Sequence, residues 1–199
     1  YDEPRTREVF ARIADRFRSL PDVESVALAS NVPMSAIEEG TTVELPGVEG
    51  DDAEFNAQKY IISRGYFDTM GLSIRGRDFT ESESTTDRDP PSVIVDEALA
   101  NRSRDDGDVV GAYLLLSSEG GSDERVETVI AGVVPSIRQS LLDRNDSPRV
   151  YYPHGQAYRG GMTFQLRLRS DDEATAAAVL GSLRAEIRSI DERLPILSM

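Results

Sequence analysis

Apolar residues recur every three or four positions from Pro4 to Leu20, at Val9, Phe10, Ile13, Phe17 and Leu20, with five arginines between them. That period is one face of an amphipathic helix, and Pro21 ends it. Beyond the turn Pro21-Asp22 the period falls to two, so Val23 to Ser30 reads as a half-buried strand with Val26 and Leu28 on one face. The C-terminal part repeats the theme: Phe164, Leu166 and Leu168 alternate with Gln165, Arg167 and Arg169 in a strand. Ser170-Asp171-Asp172-Glu173 then has the form of a capping box. It opens a predicted helix with Val179, Leu180, Leu183, Ile187 and Ile190 on one face, after which 194–197 resume an extended path.

The two helix exits look alike, Arg18-Ser19-Leu20-Pro21 before Val26-Ala27-Leu28 and Arg188-Ser189-Ile190-Asp191 before Pro195-Ile196-Leu197, a weak internal repeat. Two such units place two helices on one face of a shared antiparallel or mixed sheet, the split βαβ arrangement, with the middle of the chain inserted between them. A strand is then expected ahead of Tyr1. In the middle, Tyr66 to Met70 forms a short helical turn ending at Gly71, and Glu81 to Pro91 is a polar loop. A strand over 92–95, a helix over 96–104 and strands over 112–117 and 127–134 follow, the last two joined by a turn at 119–123. Glu38 to Glu54 carries seven acids and no cation, and is expected to be a solvated loop or edge hairpin.

Composition narrows the function. The chain has 199 residues, 39% of them hydrophobic and 29% charged, a globular composition. The 22 basic against 36 acidic residues give a formal charge of -14, the wrong sign for nucleic acid. Cysteine is absent, which removes disulfides and thiolate chemistry, and Lys59 is the sole lysine on which amine-based catalysis would rest. A single histidine, His154, excludes sites needing two imidazoles. No apolar run approaches the roughly 18 to 20 residues that span a bilayer. The start, Tyr-Asp-Glu-Pro, has neither an initiator Met nor a signal-peptide core, so the chain is expected to be a piece of a longer protein.

Catalytic motifs are weak. His154 stands in Pro153-His154-Gly155 with no Gly-x-Ser-x-Gly elbow elsewhere, and a surface-loop imidazole is the expected reading. Gly71 and Gly76 do not fit a dinucleotide fingerprint, and no phosphate-wrapping Gly-x-x-x-x-Gly-Lys occurs. The acids of Asp105-Asp106-Gly107-Asp108 do not fall at the alternate positions a calcium loop needs, so an acidic turn is expected there.

Tyr60-Ile61-Ile62-Ser63-Arg64-Gly65-Tyr66-Phe67-Asp68-Thr69-Met70-Gly71 followed by Ile74-Arg75-Gly76-Arg77-Asp78-Phe79-Thr80 carries a more specific signal. Its Tyr-Phe-x-x-Met-Gly and Gly-Arg-x-Phe elements resemble the signature of the MacB-like periplasmic core domain of FtsX-like ABC transporter permeases. Leu20-Pro21-Asp22-Val23, Pro91-Ser92-Val93-Ile94-Val95-Asp96-Glu97-Ala98, Val129-Ile130-Ala131-Gly132-Val133-Val134 and Pro148-Arg149-Val150-Tyr151-Tyr152-Pro153 match in the same order, so the resemblance runs nearly end to end. The departures fall in loops: Asp22 and Pro135-Ser136 replace usual residues, and 105–108 lengthens a turn.

The resemblance implies an α+β fold: a porter-like split βαβ lobe, two helices on a mixed sheet, from 1–64 and 150–199, with a small β-rich second lobe inserted at 65–149. It implies an extracytoplasmic, periplasmic-side domain of a permease that transmits ATP-driven movement and contacts cargo. Its partners would be the permease's own transmembrane helices, a cytoplasmic ABC ATPase, a second copy of the domain and a periplasmic adaptor. No catalysis, metal or cofactor is implied. A free-standing periplasmic ligand-binding or sensor module, and an enzyme built on acidic residues, are the alternatives, distinguished by what flanks the chain. The structural signature is Tyr66, Phe67, Met70, Gly71, Gly76, Arg77 and Phe79. Tyr66, Phe67 and Met70 fit one face of a short helix, Gly71 fits the left-handed position that ends it, and Phe79 anchors the stretch that follows. Arg77 beside Asp78 is expected to form a local ion pair.

Overall fold

A computed structural model describes residues 2–31, 39–48, 50, 53–85, 90–104, 107–118, 124–137, 147–192, 194 and 196. The elements are α1 (Glu3–Arg18), β1 (Val23–Ala29), β2 (Gly40–Glu44), β3 (Glu54–Ile62), α2 (Tyr66–Met70), β4 (Arg75–Gly76) and α3 (Glu81–Thr85). They continue with β5 (Ser92–Asp96), α4 (Glu97–Ser103), β6 (Tyr113–Ser117), β7 (Arg125–Val134), β8 (Arg149–Pro153), β9 (Thr163–Leu168) and α5 (Glu173–Ile190). The class is α+β, and the strands form one mixed sheet.

The strand order is β2-β6-β7-β5-β8-β3-β1-β9, with β4 beside β7 and a further pairing of β2 with β3. That last pairing joins the two ends of the run from β2 to β3, so six strands close into a barrel with no free edge. Register fixes what fills it. Val43 lies opposite Phe55 and Leu116, Val93 opposite Ile130, and Val95 opposite both Val133 and Val150. These residues share one buried cluster with Leu99 and Ala100 of α4.

A second cluster lies outside the barrel wall, where Tyr60, Ile94, Ala131 and Tyr151 meet α2, Phe79, and Ala27 and Ala29 of β1. A third holds α1 and α5 against β1 and β9: Val9, Ile13 and Phe17 pack with Val26, Leu28, Val179, Leu183 and Ile187. Burying a side chain the size of Phe17 contributes about 1.5–3 kcal/mol. Asp2 caps α1, its side chain accepting from the Arg5 N–H at 3.0 Å.

Several expectations change. β1 is buried on both faces from Val26 to Ala29, because α2 covers the side that a half-buried strand leaves to water. The acidic segment is a hairpin but not an edge: β2 pairs with β6 as well as β3, and Arg125 meets Glu44 at 3.7 Å and Glu54 at 2.7 Å. α5 is capped by Asp172, which accepts from the N–H groups of Ala174 and Thr175, while Ser170 accepts from the Asp172 N–H instead of closing a box with Glu173. Leu180 is 42% exposed, outside the face formed by Val179, Leu183 and Ile187. Val43, Phe55 and Ala57, from 1–64, share the barrel core with residues of the 65–149 segment. The turn at 119–123, Asp105, Asp106, and Pro195 and Leu197 of the extended 194–197 path lie outside the described residues.

Candidate functional site

α2 sits where the barrel wall meets the helix-backed sheet. Gly65 precedes it with φ 80° and Gly71 ends it with φ 73°, conformations that favour glycine. The Gly71 N–H donates to Asp68 and the Leu72 N–H to Phe67, closing the last turn. Tyr66 and Phe67 are fully buried and stack edge to face at 5.4 Å, and Phe67 meets Tyr151 of β8 at 4.9 Å. Burial pushes the Tyr66 hydroxyl up to about 12. Met70 packs half-buried against the same cluster. On the other side, the Arg167 guanidinium of β9 donates to the Thr69 carbonyl at 3.0 Å and stands against Gly71.

Gly76, Arg77 and Phe79 hold the next stretch. Gly76 has φ 97° and lies opposite Gly132 of β7, so close that a Cβ would stand 2.6 Å from the Ala131 carbonyl oxygen. Phe79 is buried with α2. The expected Arg77–Asp78 pair is replaced. Both Arg77 Nη atoms donate to Glu83 at 2.8 Å, one also reaches the Asp78 backbone carbonyl, and the Asp78 side chain accepts from the Gly65 and Phe79 N–H groups. Thr80 and Glu83 form a reciprocal capping box at α3, with Thr80 N–H to Glu83 at 2.7 Å and Glu83 N–H to the Thr80 hydroxyl at 3.3 Å. Ser92 of β5 donates to the same carboxylate at 2.8 Å. Burial of Glu83 opposes its ionisation, but hydrogen bonds from Arg77, Thr80 and Ser92 outweigh it and hold the carboxyl far below its usual range.

The polar character of 81–91 predicts a loop at Glu83, where the short helix α3 stands instead. The Thr80-x-x-Glu83 spacing is the signal that marks it. A pair buried on both sides, Asp96 with Arg149 at 3.3 Å, ties β5 to β8, and Asp96 also caps α4 through the Leu99 N–H.

Between α1, β1 and α2 opens a cleft of about 1010 Å³, lined by Phe10, Ala14 and Arg18 on one side and Arg64, Asp68 and His154 on the other. His154 is not a surface-loop imidazole. Burial, with the nearby Arg7 charge, lowers its pKa to about 4, so it is neutral at pH 7. Arg7 donates to its carbonyl, and the Phe10 ring lies 6.3 Å away. At the barrel's mouth Lys59 is buried with its ammonium 4.7 Å from the Tyr152 ring centroid, and burial followed by the charge of Arg159 lowers its pKa to about 8. Among the described residues no group of His, Asp and Glu is placed to hold a metal, and no helix is long and apolar enough to cross a membrane.

No family model matches the chain, and no curated protein matches it. Solved structures do. The chain is similar to the periplasmic region of MacB from Actinobacillus actinomycetemcomitans, at 18% identity over 89% of this chain and 72% of that one, with a TM-score of 0.58. It is similar to a domain assigned to a permease of Porphyromonas gingivalis, at 16% identity over 89% and 70% of the two chains, TM-score 0.51. It is also similar to the extracellular domain of the ABC-type transporter YknZ from Gram-positive bacteria, at 14% identity over 87% and 81%, TM-score 0.53. At these identities the likeness shows the fold: this chain has the fold of MacB-like periplasmic domains, in agreement with its motifs.

Proposed function

We propose that this chain is the extracytoplasmic domain of an ABC transporter permease, held between transmembrane helices of the same protein. In this reading it relays ATP-driven movement from a cytoplasmic ATPase and contacts cargo or periplasmic partners, among them an adaptor and a second copy of the domain. The supporting observation is the likeness of 87–89% of the chain to periplasmic or extracellular domains of such permeases. In this reading 1–64 and 150–199 supply a split βαβ lobe whose helix-backed part is α1–β1 and β9–α5, and 65–149 is the inserted lobe, which shares the barrel core with β2, β3 and β8. α2 and the Gly76–Glu83 stretch are the hinge plate between them: Arg167 fastens α2 to β9, and Gly76 and Glu83 fasten the following loop to β7 and β5. No step of catalysis is needed, and the signature residues serve packing.

The test uses the parent protein in membranes. The chain contains no cysteine, so Ala11→Cys on α1 and Asp68→Cys on α2 place one thiol on each side of the cleft. Cross-linking yield with a short bismaleimide is expected to change between nucleotide-free protein and protein trapped with ATP and vanadate. A yield identical in both states, in protein that hydrolyses ATP, overturns the relay. A parent gene without apolar helices flanking this domain overturns the permease itself.

A further inference from the structure

We propose that the connector between β8 and β9, residues 154–162, is a clasp about which the helix-backed half pivots on the barrel. The inference rests on the relay proposed above and names the point about which that movement turns. β1 pairs with β9 along its whole length, from Val23 opposite Leu168 to Ala29 opposite Thr163, and α1 and α5 pack on these strands, so the four elements form one body. Against the barrel β1 has a single register pair, Ala29 opposite Ile62. It is flanked by the Ser30 N–H donating to the Ile61 carbonyl at 2.8 Å and the Ser63 N–H donating to the Leu28 carbonyl at 2.9 Å. Among the described residues, Val23 to Val26 have no barrel strand beside them. A body attached at one end of a strand turns about that end.

The connector grips both sides at that end. The His154 N–H donates to the Ile62 carbonyl at 2.8 Å, while Arg7 of α1 donates to the His154 and Gly155 carbonyls, the latter at 3.5 Å. The Tyr158 hydroxyl donates to that of Thr6 at 3.2 Å, and the Arg7 guanidinium lies 5.8 Å from the Tyr158 ring centroid. Toward the barrel, Arg159 Nε reaches both carboxylate oxygens of Glu39, at 3.0 and 3.2 Å, and the Glu39 carbonyl accepts from the Lys59 N–H of β3 at 2.7 Å. Such a forked contact fixes direction as well as distance. Connecting segments ordinarily run exposed over the surface, yet none of residues 154–159 is exposed. The last turn of α1 is far from this grip: at 1.5 Å per residue, Ser19 lies about 18 Å along the helix from Arg7. The cleft between Arg18 and Asp68 therefore changes width as the half turns. The tie between β9 and α2, from Arg167 to the Thr69 carbonyl at 3.0 Å, is made by a long side chain that can follow a small rotation.

The experiment uses the parent protein in membranes, cleared of any other cysteine. One spin label goes on α1, at Glu8→Cys or Ser19→Cys, and one on the barrel, at Glu127→Cys or Asn56→Cys so that two directions are read; all four positions are exposed. Electron–electron distances are compared between nucleotide-free protein and protein trapped with ATP and vanadate. A turn about the clasp moves each site in proportion to its distance from it, so the shift at Ser19 is expected to be at least roughly threefold that at Glu8. Arg7→Met removes both carbonyl contacts and keeps the aliphatic stem. It is expected to bring the two shifts close to equal and to broaden the Glu8 distances while ATP hydrolysis continues. Should it misfold, Tyr158→Phe removes only the hydrogen bond to Thr6 and is expected to lower the ratio part of the way. Residues that merely supported the fold would leave the ratio unchanged, and that result in both variants overturns the clasp. Equal shifts at the two sites in the unaltered protein, or a larger one at Glu8, overturn the pivot and leave the relay standing. No shift at either site, in protein that hydrolyses ATP, overturns pivot and relay together.

Discussion

The barrel and the helix-backed pair β1–β9 use the same residue types in opposite ways. The barrel closes on itself, so every strand in it has two neighbours, and two carboxylates packed against it are fully out of water and paired: Asp96 with the buried Arg149, and Glu83 with Arg77, whose own side chain stays 43% exposed. The other half ends at β9, whose residues are exposed or half-buried throughout, and its ion pairs on α1, Arg5–Glu8, Arg7–Glu3 and Arg18–Asp15, all keep both partners partly exposed to water. Its stability comes from apolar burial between two helices and two strands. Closure and buried carboxylates thus fix the barrel in one arrangement, while the helix-backed half, beyond the β1–β9 ladder, relies on non-directional apolar contacts. In the relay proposed above it is this half that would shift, into the cleft between α1 and α2.

The sharpest way to break this contrast is at Gly76. Its φ is positive, and the Ala131 carbonyl oxygen stands 2.6 Å from where a Cβ would sit, an overlap that no side-chain rotation could relieve. Gly76→Val is expected to cost about 3–5 kcal/mol, from backbone strain and overpacking together, and to lower the melting temperature by roughly 10 °C. At Gly71 the obstacle is the end of the Arg167 side chain, which can swing away, so Gly71→Val suffers mainly from its φ of 73°, about 1–3 kcal/mol. Thermal denaturation showing Gly71→Val as the more damaging of the two would reverse the assignment of rigidity.

Acid separates the halves by pH window. Glu83 has a folded pKa held below its unfolded value, so its stabilisation is complete above about pH 5 and declines as pH falls below about 4.5. Glu83→Gln is expected to cost roughly 2–4 kcal/mol at pH 7, because Arg77, Thr80 and Ser92 all donate to the carboxylate, and to flatten the stability curve below that point. His154, on the cleft side, also has a depressed folded pKa, about 4 against 6.5, so the folded state takes up its proton less readily. Stability is lost there as pH falls from about 6.5 to 4, on the order of 1–2 kcal/mol. His154→Phe is expected to remove that earlier limb and leave the later one, as read by urea denaturation at pH 7, 5.5 and 4. A curve for His154→Phe that overlays the unaltered protein through this window would take His154 out of the acid response.

How much of this is legible in the sequence depends on how local the cause is. α1, β1, β9, α5 and α2 are written in runs of apolar residues with clear periods, and the motifs around Tyr66 and Gly76 point to the fold. Barrel closure is not legible, because it depends on β2 meeting both β3 and β6, a decision made across residues 40 to 117. β3 itself is hidden since its inward positions Phe55, Ala57 and Lys59 include a small residue and a cation, which blurs the alternation. Ser170–Glu173 has the spacing of a capping box, yet Asp172 caps instead. The real box at Thr80–Glu83 is masked, because its helix spans five residues and offers no apolar period. Which carboxylates meet arginines is set by folding, so the sequence suggests Asp78, the chain neighbour of Arg77, where the structure supplies Glu83.

The smallest expected effect completes the comparison. Arg5 and Glu8 make an ion pair at 2.6 Å, nominally as short as any between Arg77 and Glu83, but their side chains are 47% and 54% exposed. In water the Coulomb attraction is screened and the entropy of holding two long side chains nearly offsets it, leaving about 0–0.5 kcal/mol. Glu8→Ala is therefore expected to move the melting temperature by no more than roughly 1–2 °C, and 0.5 M salt should erase even that, while the Glu83→Gln effect persists because its carboxylate is beyond the reach of screening ions. Comparable losses for the two variants would mean that distance, not burial, sets the worth of these pairs, and the distinction between a fixed barrel and a looser helix-backed half would lose its electrostatic basis.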